Sequence, residues 1–184
     1  MTIYWIAFSI CSLLLIAVSW KSLLHTRSHG FYRFFAWECI LGLFLLNVNL
    51  WFRDPFAWHQ IIAWVLLFGS LAPLAFGVHA LRTRGKAVRQ REGDSTLLAF
   101  EKTSVLVTSG IYKYIRHPLY CSLLLLAWGI FFKAFSWLGI FLIIAATLFL
   151  IATAKADETE CIQFFGIQYQ DYMKKTKMFI PFLF

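Results

Sequence analysis

Hydrophobic positions fall into five long blocks, about 3–20, 34–52, 57–80, 118–132 and 135–154, with few charges inside any of them. Crossing ~30 Å of hydrocarbon takes about 20 apolar residues in a helix, so each block predicts a transmembrane span. Little more than Lys133 separates the last two, which predicts a tight helical hairpin. Beyond 154 the texture changes. Ile162, Phe165, Tyr169 and Tyr172 recur at helical spacing while Gln163, Gln168, Gln170 and Asp171 are polar. That pattern predicts an amphipathic helix lying on the bundle or in the lipid interface, weakened or bent at Gly166. The stretch 83–104 is the one sizeable polar connection.

Composition fixes the class. Of 184 residues, 60% are hydrophobic and only 14% charged. This predicts an all-α, polytopic membrane bundle forming one domain over 1–184, with two N-terminal spans in 1–56. No basic residue precedes the first apolar block, so that block is expected to remain as an anchor rather than be cleaved. Cys11, Cys39, Cys121 and Cys161 stand singly in or beside apolar segments and suggest neither disulfides nor a metal site.

The net charge of +8 comes from seventeen basic residues that are unevenly placed. With the N-terminus outside, Arg53 and Lys133 face outward, and every other lysine and arginine faces the cytoplasm. The positive-inside rule therefore predicts a cytoplasmic C-terminus, in the inner membrane if the source is bacterial. Anionic lipid explains the basic loops without invoking nucleic acid. Inside the spans, Asn47 and Asn49 are expected to bond neighbouring helices and His59 to lie at the outer interface. Glu38 is placed at an interface or in a pocket, with His79 near the inner end of the third span.

Candidate chemistry gathers where blocks four and five meet the cytoplasmic side. "GIYKYIRHPLY" (110–120) sets Arg116 and His117 directly before Pro118. Proline suits the first turn of a helix, whose free N–H groups and dipole favour an anion. Asp157, Glu158 and Glu160 cluster across the hairpin and would accept an ammonium. Anion-accepting and cation-accepting ends separated by Tyr112, Tyr114 and Tyr120 suit a zwitterion, with rings available to a base or a sulfonium.

"LVTSGIYKYIRHPLY" (106–120), followed by "DETECIQFFGIQYQDY" (157–172) and "FIP" (179–181), resembles the isoprenylcysteine carboxyl methyltransferase and phospholipid methyltransferase superfamily over roughly 75–181. The resemblance implies an integral membrane enzyme using S-adenosylmethionine on a lipophilic or small substrate. It implies adenosine contacts from Leu106, Val107 and Tyr112, with His117, Pro118 and Tyr120 lining the cofactor. Asp157 and Glu158 would hold its ammonium, and Arg116, His117 and Glu158 would be the catalytic set. The isoprenylcysteine branch carries an arginine one turn before the acidic pair, where this chain has Thr153. Two other functions are compatible with the sequence: a nicotinamide-dependent sterol-type reductase relative and a non-enzymatic membrane scaffold.

Overall fold

In a computed structural model, which describes residues 2–86, 101 and 103–181, the chain is helical. Six α-helices follow in order: α1 (Thr2–Leu23), α2 (His29–Asn47), α3 (Trp58–Arg84), α4 (Pro118–Phe131), α5 (Trp137–Phe165) and α6 (Ile167–Lys175). One isolated parallel bridge pairs Ile115 with Lys177.

Four helices are long and apolar enough to span a bilayer: Ile3–Leu23, His29–Leu50, Trp58–Arg84 and Trp137–Phe165. The predicted fourth block is shorter than the others. α4 has 14 residues, or about 21 Å at 1.5 Å per residue, against ~30 Å of hydrocarbon. The fifth block is longer than predicted, because α5 runs unbroken for 29 residues through the acidic cluster to Phe165. The predicted amphipathic tail helix is accordingly split. Gly166 adopts φ +61, a conformation that L side chains seldom take, and α6 starts anew after it.

Packing follows the small residues. α3 lies on α4, and a methyl group added at Gly129 would come within 2.9 Å of Leu67. α2 packs on α5 through Ala36, Leu43, Ala146, Leu150 and Ala154, all fully buried. α1 stands at the edge with most of its large apolar side chains exposed, as a lipid-facing helix should.

The polar residues inside the spans find partners, as expected of the asparagines. Asn47 donates to Ile130 O at 2.9 Å, and Asn49 accepts from Tyr4 at 2.6 Å. Glu38 accepts from Ser12 on α1. At the turn between α4 and α5, Lys133 is 1% exposed. Its ammonium donates to Gln60 Oε1 at 3.0 Å and lies 3.3 Å from the centroid of the Trp64 ring. Gln60 in return donates to Lys133 O, and His59 bonds Phe132 O, so this end of the bundle is closed.

Candidate functional site

The opposite end is built around His117. It occupies the N-cap position of α4, Pro118 is the first helical residue, and His117 is 4% exposed. The C-terminal segment holds this cap in place. Arg116 N donates to Lys177 O at 2.8 Å, His117 N to Met178 O at 3.2 Å, and Lys177 N to Tyr114 O at 3.2 Å. Phe179, the first residue of "FIP", is buried with its ring 6.2 Å from the imidazole, which stacks on Tyr120 from the other side.

α5 supplies the facing carboxylates. His117 Nδ1 lies 3.3 Å from Asp157 Oδ2, and His117 Nε2 lies 3.3 Å from Glu158 Oε1. The same Glu158 oxygen accepts from Arg116 Nε at 2.7 Å. Burial by itself would lower the His117 pKa. Hydrogen bonds and charges from Asp157 and Glu158 outweigh it and raise the pKa above its ordinary value. With a carboxylate at each ring nitrogen, the imidazolium donates on both sides. Arg116 also donates to Met173 O at 3.3 Å and to Thr176 O, and Tyr172 donates to Tyr112 O at 2.6 Å, tying α6 to the knot.

A cavity opens beside this bracket, with about 680 Å³ of empty space including its mouth. Leu106, Val107, Tyr112, Arg116, His117, Pro118, Tyr120 and Asp157 all line it, so eight of the nine residues expected from the sequence converge. Glu158 is the exception. It is buried behind the imidazole, paired with Arg116 and His117, and does not reach the cavity wall. Tyr114 points outward and is 48% exposed; His79 is exposed and does not line the cavity. Burial raises the pKa of Tyr112, Tyr169 and Tyr172, which therefore present neutral hydroxyls.

Several participants were not singled out from the sequence. Glu101 lines the cavity and is paired at 3.0 Å with Arg33 of α2. Cys161, Phe165, Tyr169 and Tyr172 complete the wall; the spacing of the last three was visible, but as a packing stripe. His29, fully buried at the start of α2, bonds Glu160 through its ring and through its backbone N–H, the latter at 2.9 Å. His29, Asp157 and Glu160 bring donor atoms within 4.8 Å of one another. Both Glu160 oxygens are already engaged by His29, so the trio reads as an ion-paired helix cap.

Comparison with known proteins finds similarity over the middle of the chain. The family model described as phospholipid methyltransferase matches residues 92–166. A methanethiol S-methyltransferase 2 from Bradyrhizobium diazoefficiens is 32% identical over 74 residues, 40% of this chain and 28% of the relative's own length. The chain thus matches well under a third of that protein. No solved structure matches significantly. Over residues 92–166, less than half of its length, the chain is thus similar to the phospholipid methyltransferase family.

Proposed function

We propose that the chain is an S-adenosylmethionine-dependent membrane methyltransferase whose cofactor occupies the cavity between the start of α4 and the far part of α5. One observation carries the reading. The imidazolium of His117 is held between Asp157 and Glu158 at the mouth of α4, on the wall of a cavity otherwise lined by tyrosines and aliphatic side chains. The donor set fits the group. Asp157 offers a carboxylate to the ammonium, Arg116 and the open turn of α4 face the carboxylate, and Leu106, Val107 and Tyr112 offer an apolar and aromatic surface to the adenine.

When bound, S-adenosylmethionine supplies a methyl group already activated on a sulfonium. What the chain adds is position and dryness. Arg116 and His117 touch the reactants, and Glu158 is a positioning residue that fixes both of them from behind. Well-aligned reactants gain about 7–11 kcal/mol over free encounter. His117, engaged at both nitrogens, is a poor base near neutral pH. That favours nucleophiles that arrive already ionised, a carboxylate or the thiolate form of a thiol, over an amine that must lose its proton at the site. The relative's methanethiol is such a nucleophile; a lipid-borne thiol or carboxylate would be another, arriving sideways from the bilayer. The charge asymmetry supports a site and a C-terminus on the cytoplasmic side, in the inner membrane if the source is bacterial.

Titration of the detergent-solubilised chain with S-adenosylmethionine and with NADPH tests the reading. S-adenosylmethionine should bind and NADPH should not. Asp157→Asn should weaken the binding about 10- to 100-fold, the worth of a charge-assisted hydrogen bond. Glu160→Gln should leave it near wild type, because Glu160 serves His29 instead. NADPH binding, or equal affinities in the two variants, would reject the assignment.

A further inference from the structure

Among the polar features of the proposed cofactor that the residues named so far do not meet are the two vicinal hydroxyls of its ribose. The cavity has a second carboxylate that no sequence motif marked. Glu101 belongs to the segment leading through Thr103 to Leu106 and Val107, and it lines the wall along with them. An ionised carboxylate accepts hydrogen bonds and donates none. Acidic side chains serve in this way for ribose hydroxyls in dinucleotide sites.

A guanidinium is paired with Glu101. Arg33 Nη1 donates to both carboxylate oxygens, at 3.2 and 3.0 Å, and the two side chains are only 6% and 11% exposed. A carboxylate this buried stays ionised only beside a cation. The Arg33 guanidinium also lies 5.0 Å from the Trp37 ring and within electrostatic range of Asp157. It is therefore anchored among fixed neighbours on α2. The ribose joins the adenine to the methionine portion of the molecule. Glu101 likewise shares a wall with the adenine surface of Leu106 and Val107 and with Asp157, the acceptor for the methionine ammonium.

We infer that Glu101 is a cofactor-binding residue that accepts the ribose hydroxyls, with Arg33 as its positioning residue. The inference rests on the proposed cofactor. It also makes α2, which lies outside the matched domain, a working part of the site.

The test compares S-adenosylhomocysteine with its 2′-deoxy and 3′-deoxy counterparts by titration calorimetry on the full chain in detergent. The wild-type chain should prefer the ribose form by about tenfold or more, the scale of a hydrogen bond to a charged acceptor. Glu101→Ala should bind all three within about twofold of one another, because the group that reads the hydroxyls is gone. Arg33→Lys should keep part of the preference. Should Glu101→Ala not fold, the double variant Arg33→Met/Glu101→Leu removes both charges together and should lose the preference equally. Equal binding of ribose and deoxy forms by the wild-type chain overturns the inference on its own. So does a full preference surviving in either Glu101 variant. If no adenosyl ligand binds the wild-type chain, the cofactor assignment falls and this inference falls with it.

Discussion

Both ends of the bundle bury basic side chains, but they satisfy them differently. At the closed end, Lys133 is held by the Gln60 amide, the Trp64 face and, at 5.4 Å, the Trp51 ring. At the other end, Arg33, Arg116 and His117 are matched with Glu101, Glu158 and Asp157. Amides and rings quiet a charge and leave nothing for a ligand. Carboxylates around a cavity leave a polarised wall, which is what a zwitterionic ligand needs. The difference separates a structural cation from functional ones more cleanly than burial does, since Lys133 is the most buried of the group.

The comparison predicts where a substitution will hurt. The largest effect should come from Arg116→Met, which leaves the buried Glu158 carboxylate to His117 alone and frees the carbonyls of Met173 and Thr176. Breaking a buried pair from one side costs about 3 kcal/mol or more. A strongly depressed thermal midpoint together with lost S-adenosylmethionine binding is expected; an unchanged midpoint would mean that the knot is not structural. Lys133→Met should be milder, about 1–2 kcal/mol of stability for the lost cation–π and amide contacts. Its cofactor affinity should stay within about twofold of wild type. Weakened binding there would show that the two ends are coupled and would blunt the comparison.

The smallest effect concerns pH. His117 has a raised pKa in the folded chain, so its stabilising contribution is complete below its unfolded value near 6.5 and disappears as pH climbs through the raised value. The thermal midpoint of the ligand-free protein should therefore fall as pH rises above about 6.5, and His117→Gln should flatten part of that slope. Parallel slopes in the two proteins would assign the titration elsewhere.

The spans were legible because lipid rewards unbroken apolar stretches, and Pro118 at the start of α4 because its ring suits that position. Half of the cavity wall was also legible, since those residues lie in two compact motifs. What the sequence hid was long-range pairing. Arg33 and Glu101 are 68 residues apart, and His29 and Glu160 are 131 apart. A basic residue ahead of an apolar block looks the same whether it anchors topology or holds a carboxylate. The length of α5 was hidden for a related reason. Its acidic residues read as a departure from the membrane, yet Asp157 and Glu158 are the polar face of a helix that continues past them. Glu158 had the right neighbours by register but faces the back of the imidazole, a distinction of side-chain direction that spacing does not carry.

The unbroken course of α5 also makes it a lever. Ala146 is fully buried against α2, and Asp157 stands eleven residues further along the same rigid rod, about 16 Å away. A change in tilt of about 5° pivoting at Ala146 would sweep Asp157 sideways by about 1.4 Å, and helix tilt is what adjusts when bilayer thickness changes. The gap from Asp157 to His117 is 3.3 Å. Any tilt of α5 about that pivot would therefore change the width of that gap without touching a residue in the cavity.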